Sequence, residues 1–172
     1  MKSKTQKITA CLLGVILLLC CSGCTRDARF GIQELSHRLE ERDERYGFSS
    51  EGISFSNEFY HIPFSFAGEQ DVLLSCKEDA DGRLLQLLLT TDKERAPQEE
   101  YIAFAKTLIA VFFGVDDYEA AAIAEEAGLT GTEVLFSDCT GKAERERYSF
   151  TFFSTPLSVT AILTYDDAKI TE

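Results

Sequence analysis

Histidine, tryptophan and basic residues are all scarce in this sequence. Its 172 residues include no Trp, one Met, three Pro and two His, namely His37 and His61. Neither histidine belongs to an H-E-x-x-H or other recognisable pairing, so each is predicted to be a structural or surface residue. The 17 Lys and Arg are outnumbered by 29 Asp and Glu, which gives a net charge of -12. This balance argues against nucleic acid as a partner, because such binding requires a basic patch.

Motifs for nucleotide and acyl-transfer chemistry are also missing. No G-x-x-x-x-G-K or G-x-G-x-x-G loop occurs, and no serine stands in a G-x-S-x-G elbow. The acidic stretch Asp79–Gly82 does not fit a calcium-binding EF-hand loop, because its glycine is fourth rather than sixth. Doublets of carboxylates arise by chance in so acidic a chain, and sequence neighbours rarely converge on one substrate. The sequence therefore predicts no catalytic residue, no metal and no cofactor.

The first 24 residues carry the strongest signal. A short stretch with three lysines precedes Ile8–Cys21, fourteen residues without a charge. That run is shorter than the twenty or so apolar residues of a transmembrane helix, and it fits the apolar core of a secretory signal peptide. Cys21-Ser22-Gly23-Cys24 follows directly. This segment resembles the lipobox of bacterial lipoprotein precursors, in which a peptidase cuts before a cysteine that has received a diacylglycerol. Cys21 stands where that family most often has Leu.

The resemblance implies that residues 1–23 are a lipoprotein signal peptide and residues 24–31 a lipidated tether. Cys24 would then anchor the protein to the extracytoplasmic face of the cell membrane through its acyl chains, each buried CH₂ contributing about 0.8 kcal/mol. The eight residues from Cys24 to Ile32 span at most about 28 Å, which keeps the domain close to the membrane. The alternative is a plain secretory signal peptide in which the cysteines are incidental.

Cleavage before Cys24 changes the charge and the cysteine count. Removal of 23 residues with three lysines leaves 149 residues and a net charge of -15. Cys76 and Cys139 are then the only other cysteines. Outside the cytoplasm they are a candidate disulfide, worth roughly 4 kcal/mol by loop entropy. The alternative is two separate cysteines that act as small apolar residues. A zinc site is not predicted, because neither has a second ligand at short spacing.

Hydrophobic periodicity in residues 32–172 predicts one α+β domain. A helix runs from Ile32 to a C-cap at Gly47, and period-two segments at 53–56, 60–66, 72–76 and 85–89 predict strands. Asp79–Gly82 predicts a hairpin turn with Gly82 at positive φ.

The second half of the chain is predicted to contain two helices and then three strands. One helix is opened by Pro97 and stopped by Gly114, and the next has Asp116 as N-cap and ends at Gly128. The final strands are predicted at Glu133–Ser137, Arg147–Phe153 and Ser158–Tyr165. The expected fold is an antiparallel sheet of six to seven strands, covered on one face by helices, in the order helix, strands, two helices, three strands.

For function, the sequence favours a lipid-anchored domain that binds an envelope protein or a small ligand without chemistry of its own. A small cell-envelope hydrolase that uses scattered acids or His61, and an assembly factor of an envelope complex, are the alternatives. A concave pocket that gathers His61 with carboxylates would favour the hydrolase, whereas a flat exposed apolar patch would favour the binding domain.

Overall fold

The computed structural model of the protein describes residues 29–66, 72–94 and 98–167. The predicted signal peptide, Cys24 and Pro97 lie outside these ranges.

Three α-helices, three short 3-10 helices and seven strands make up the described part of the chain. The α-helices are α1 (Ile32–Arg42), α2 (Gln98–Phe113) and α3 (Asp117–Glu126), and the 3-10 helices are Glu44–Tyr46, Ser50–Gly52 and Thr132–Phe136. The strands are β1 (Ser54–Ser56), β2 (Phe59–Phe64), β3 (Val72–Glu78), β4 (Leu84–Asp92), β5 (Cys139–Arg145), β6 (Tyr148–Ser154) and β7 (Ser158–Tyr165).

The seven strands form one sheet in the order β1-β2-β3-β4-β7-β6-β5, and every neighbouring pair is antiparallel. Hairpins join most neighbours along the chain. β4 and β7 meet at the centre, although α2, α3, β5 and β6 separate them in sequence. The predicted α+β class and the antiparallel sheet are confirmed.

One face of the sheet holds the core. Directly paired residues of neighbouring strands point to the same face, so one row across the sheet consists of Ile62, Leu74, Leu89, Ala161 and Phe152. All five are at most 2% exposed. We call this side the core face and the opposite side the outer face.

Segments of different kinds close the core face. From α2, Tyr101 donates its hydroxyl to the Leu89 carbonyl at 2.9 Å. The short 3-10 segments contribute as well, since Ser154 donates to the Leu135 carbonyl in one of them, and Tyr46 of another stacks on Phe104 at a centroid distance of 4.4 Å. The predicted cover of one face by helices is therefore wrong, because the α-helices alone do not form that layer.

The element order also departs from the prediction. The predicted strand Glu133–Ser137 is wrong, because Thr132–Phe136 is a 3-10 helix and the next strand begins at Cys139. A short apolar run cannot by itself distinguish a strand from a buried helical turn. The first helix ends at Arg42 rather than at Gly47, because the Asp43 carboxylate accepts a bond from Arg45 N and starts a new 3-10 turn.

Three predicted signals for local structure are confirmed. Gly82 has φ of 71° in the β3–β4 turn, and Gly114 has φ of 69° after α2. Asp116 caps α3, since its carboxylate accepts from Glu119 N at 2.8 Å. These short-range signals set the boundaries of the elements around the core.

Candidate functional site

A cleft of about 750 Å³ opens between the start of α1 and the β1–β2 hairpin. Its apolar wall consists of Ile32, Ile53, Phe55 and Tyr60. Phe55 is 64% exposed, which is unusual for a large aromatic residue. The volume lies within the range of cavities that hold small molecules, about 300–1,000 Å³.

The hairpin turn positions the two aromatic rings. Asn57 and Glu58 have φ of 51° and 68°, which is the left-handed pair of a two-residue turn. That turn pairs Phe55 with Tyr60 across the two strands, so their side chains leave the same face. The ring centroids lie 4.8 Å apart. The β1–β2 hairpin thus presents an aromatic pair to the cleft, with one ring from each strand.

The start of α1 forms the opposite side of the cleft and is held by β3. Gly31, the N-cap, has no side chain to accept a helix N–H, and the Glu78 carboxylate accepts from Ile32 N at 2.7 Å instead. A Cβ on Gly31 would lie 2.7 Å from the Gly82 carbonyl oxygen, so glycine permits this close approach. The negative charge of Glu78 is also favourable at the positive end of the helix.

Both carboxylates that line the cleft already have partners. Glu78 binds the helix N-terminus, and Glu34 accepts from Arg38 Nε at 2.9 Å. The charge that they present to an occupant is therefore largely compensated. What the cleft offers is mainly the surface of Phe55 and Tyr60 with aliphatic side chains beside them.

A smaller cavity of about 290 Å³ continues the cleft along α1. It shares Ile32, Gln33, Ser50 and Ile53 with the cleft and extends to Phe48. Ser36 fixes this end, because its hydroxyl donates to the Phe48 carbonyl and accepts from the Phe48 amide. The two cavities together follow about two turns of the helix.

Arg29 holds the chain just before the cleft. Its side chain is 8% exposed, and its Nη1 lies 3.1 Å from Asp79 Oδ2. Its guanidinium also lies over the Tyr165 ring at 4.2 Å. The chain therefore enters the domain at the end where Gly31 and Gly82 line the cleft.

His61 lies on the outer face, away from the cleft. Its Nε2 is 3.0 Å from Ser56 Oγ, and its Nδ1 is 2.9 Å from Ser75 Oγ. Nε2 also lies 3.3 Å from the Ser56 carbonyl oxygen. Two hydroxyls thus flank one imidazole, and no carboxylate is among these contacts. The second histidine, His37, is exposed on α1 with Nε2 3.4 Å from Glu41.

The two cysteines of the domain do not meet. Cys76 lies on β3 and Cys139 on β5, and β4, β7 and β6 lie between them. Four steps of about 4.8 Å separate the strands by about 19 Å, whereas a disulfide needs Cα atoms within about 7 Å. Both thiols are free. The structure therefore contains two separate cysteines, the alternative to the candidate disulfide. Burial raises the pKa of the Cys76 thiol above its ordinary value.

Sequence reasoning did not identify the aromatic pair as a site. Phe55 was expected only as a strand residue, and one signal in the sequence marks it, namely a large apolar residue between Ser54 and Ser56. Within 29–66, 72–94 and 98–167, no group of three His, Cys, Asp or Glu is placed to hold a metal ion. The same ranges contain no helix long and apolar enough to cross a membrane.

Comparison with protein-family models, with curated proteins and with solved structures finds no match to this chain.

Proposed function

We propose that this protein is a lipid-anchored extracytoplasmic domain that binds a small ligand in the cleft beside α1. The observation that carries the proposal is the exposed aromatic pair, Phe55 and Tyr60, at the wall of a cavity of about 750 Å³. Burying a Phe side chain contributes about 1.5–3 kcal/mol. A ligand that covers Phe55 would therefore be stabilised by burial of this ring, which is exposed to water in the free protein.

The compensated charges of the cleft indicate the kind of ligand. Because Glu34 and Glu78 have partners within the chain, an occupant gains most from stacking on the rings and from a few polar contacts with Gln33 and Ser50. We therefore propose an apolar or aromatic ligand without strong charge.

The proposed anchor places the cleft near the membrane surface. Arg29 is the fifth residue after Cys24, so the two are separated by at most about 18 Å of extended chain. Arg29 is fixed at the end of the domain where the cleft opens. A ligand that partitions into the membrane interface would thus be close to its site.

A fragment titration tests the binding proposal. Uncharged aromatic fragments are added to the chain lacking its first 24 residues, and the NMR signals of the aromatic rings are followed. We expect saturable shifts for a subset of fragments, lost on Phe55→Ala. Tyr118→Ala is the matched control, because Tyr118 is an 87% exposed aromatic residue on α3. Binding that survives Phe55→Ala, or no binding by any fragment, would contradict the proposal.

The anchor has its own test. Replacement of Cys24 by Ala should move the protein out of the membrane fraction and abolish its labelling with a radioactive fatty acid. Cys139→Ala serves as the control for a cysteine outside the proposed lipobox. Continued labelling of the Cys24→Ala protein would contradict the proposed anchor, because the fatty acid would then be attached at another residue.

A small hydrolase is the second candidate function. The observation that favours it is the series of hydrogen-bond contacts from Ser56 through His61 to Ser75. The order of contacts is that of a nucleophile, a general base and a group that orients the base. Ser75 would take the place usually held by a carboxylate, and a neutral hydroxyl stabilises an imidazolium less well. This site lies on the outer face and shares no residue with the cleft.

A serine-directed fluorophosphonate probe distinguishes this candidate. If Ser56 is a nucleophile, the probe should label the wild-type protein, and Ser56→Ala and His61→Ala should both abolish labelling. Ser54→Ala, an exposed serine on the same strand, is the control. Absence of labelling in the wild-type protein would remove the hydrolase candidate.

A further inference from the structure

The cleft and the smaller cavity beside it form one groove along α1, because Ile32, Gln33, Ser50 and Ile53 line both of them. The aromatic pair lies at one end of this groove, and Phe48 and Glu40 lie at the other. The stretch of α1 from Ile32 to Glu40 measures about 12 Å at about 1.5 Å per residue. A single aromatic ring would cover only part of that length.

The far end of the groove is fixed by packing and hydrogen bonds. The Phe48 ring packs edge-on against Phe64 of β2, with centroids 6.0 Å apart. The Ser36 hydroxyl donates to the Phe48 carbonyl at 2.7 Å and accepts from the Phe48 amide at 2.9 Å. This wall is therefore in place in the free protein, and a ligand does not have to order it.

Apolar side chains follow one another along the whole groove. Four of them are half-buried and one is exposed, namely Phe48, Ile53, Ile32, Tyr60 and Phe55. A linear chain of methylene groups can contact all of them in turn, and each CH₂ that it buries adds to the affinity. A flat ring contacts only the aromatic end. The shape of the apolar surface therefore favours a linear ligand.

The charges around the groove disfavour an anionic head group on that ligand. The groove is lined by Glu34, Glu40 and Glu78, and no Lys or Arg is among the lining residues that the structure describes. A carboxylate or phosphate would find no lysine or arginine to pair with, and it would be repelled by a chain of net charge -12. Gln33 and Ser50 are exposed and offer an amide and a hydroxyl to an uncharged head group.

We propose, building on the proposed function of the cleft, that its ligand is a single-chain lipid with an uncharged head group, of the monoacylglycerol class. The membrane is the source of this lipid. Arg29, within about 18 Å of Cys24, is fixed on Asp79 at the end of the domain where the cleft opens. One acyl chain binds a bilayer only marginally, so such a lipid can leave the bilayer for the groove, whereas a two-chain lipid is retained.

A chain-length series of monoacylglycerols tests the proposal. The lipids are titrated calorimetrically, below the concentrations at which they aggregate, into the chain that begins at Thr25, which contains every residue that the structure describes. Each added CH₂ should tighten binding up to about fourfold, since a buried CH₂ contributes about 0.8 kcal/mol and 1.4 kcal/mol is tenfold. An extended alkyl chain advances about 1.25 Å per carbon, so the affinity should stop rising near about ten carbons.

Substitution of His37 by Trp should shorten the groove. His37 lines the smaller cavity but not the cleft, and the larger ring takes up space at the far end. The affinity should then stop rising at a shorter chain, while uncharged aromatic fragments bind as they do to the wild-type protein. Glu41→Trp is the matched control, because it removes the same His37–Glu41 contact and Glu41 lines neither cavity of the groove.

The outcomes separate this proposal from the proposed function. If aromatic fragments bind but the affinity for lipids does not rise with chain length, or if His37→Trp leaves the limiting length unchanged, the single-chain lipid is overturned and the cleft remains a ligand site. If neither fragments nor lipids bind, both are overturned.

The lipidated full chain in phospholipid nanodiscs tests the source of the lipid. We expect it to bind the added monoacylglycerol with the same dependence on chain length. If the chain that begins at Thr25 binds the lipid and the lipidated chain does not, the acyl chain on Cys24 already fills the groove, and a free lipid is overturned as its ligand.

Discussion

Gly141 and Ala127 meet backbone to backbone, so closely that a Cβ on Gly141 would lie 2.1 Å from the Ala127 carbonyl oxygen. Gly141 lies on β5 and Ala127 directly follows α3. The residue pair therefore sets the distance between the end of the helix and the last strand of the sheet. The neighbouring atoms are backbone, which cannot move aside as a flexible side chain would.

Substitution of Gly141 by Ala should destabilise the fold. The added methyl group forces the end of α3 away from β5, and overpacking of this kind costs about 1–3 kcal/mol. The measurement is the urea midpoint followed by circular dichroism. Gly52→Ala is the control, because no atom lies within 4 Å of a Cβ at Gly52. Equal midpoints for the two variants would show that α3 can shift freely on β5.

Tyr101 should make the stability of the protein fall at high pH. Burial raises the pKa of its hydroxyl above the ordinary value, so the folded protein holds the proton more tightly than the unfolded chain. The contribution of the Tyr101 hydroxyl to the free energy of unfolding is complete below pH 10, the ordinary pKa of Tyr. Above that pH the free energy of unfolding falls by up to about 1.4 kcal/mol per pH unit.

Denaturant unfolding at several pH values between 9 and 11 measures this effect, with that range chosen around the ordinary tyrosine pKa of about 10. Tyr101→Phe should reduce the fall with pH, while it lowers stability near neutral pH by about 1 kcal/mol through loss of the bond to the Leu89 carbonyl. Tyr118→Phe should leave both quantities unchanged, because Tyr118 is 87% exposed. If the free energy of unfolding of Tyr101→Phe falls with pH as steeply as that of the wild-type protein, then groups other than Tyr101 cause the fall.

Cys76 and Cys139 should differ in their reactivity. Burial raises the pKa of the Cys76 thiol, and the thiolate is the form that reacts. Iodoacetamide at pH 8 should therefore modify half-buried Cys139 in the native protein and Cys76 only after unfolding. Peptide mass spectrometry after tryptic digestion assigns the label. Joint protection of both residues, reversed by a reductant, would instead support a disulfide.

Local signals in the sequence were sufficient for much of the fold. Asp116 and Gly114 act through their nearest neighbours, so a helix start and a helix stop could be predicted from residue type and position alone. The same holds for the β3–β4 turn at Gly82. The pairing of β4 with β7 at the centre of the sheet could not be predicted, because no local pattern specifies contacts between distant segments.

The errors and the missed site have a common cause. The segment 132–136 contains three apolar residues in a row, which suit a strand as well as a helical turn, and it forms a 3-10 helix whose Leu135 carbonyl accepts a bond from Ser154 on a later strand. Phe55 has strand character in the sequence, but its exposure depends on the position of α1 across the cleft. Likewise, the separation of Cys76 from Cys139 follows from strand order, which the cysteine count does not contain.

Arg29 should stabilise the entry of the chain into the domain, and substitution by Lys should weaken it. The guanidinium lies 3.1 Å from Asp79 and over the Tyr165 ring, and a lysine ammonium cannot reproduce both contacts. With the side chain 8% exposed, we expect a loss of about 1–2 kcal/mol in the free energy of unfolding.

Arg45→Lys is the matched control for this prediction. Arg45 also pairs with an aspartate, Asp43, at 2.6 Å, but its side chain is 60% exposed, and solvent-exposed ion pairs contribute little to stability. Urea unfolding of both variants measures the difference. If Arg29→Lys lowers the free energy of unfolding no more than Arg45→Lys does, then apolar packing of residues 30–39, rather than Arg29, stabilises the cleft end of the domain. In that case Leu35→Ala should be the more destabilising substitution.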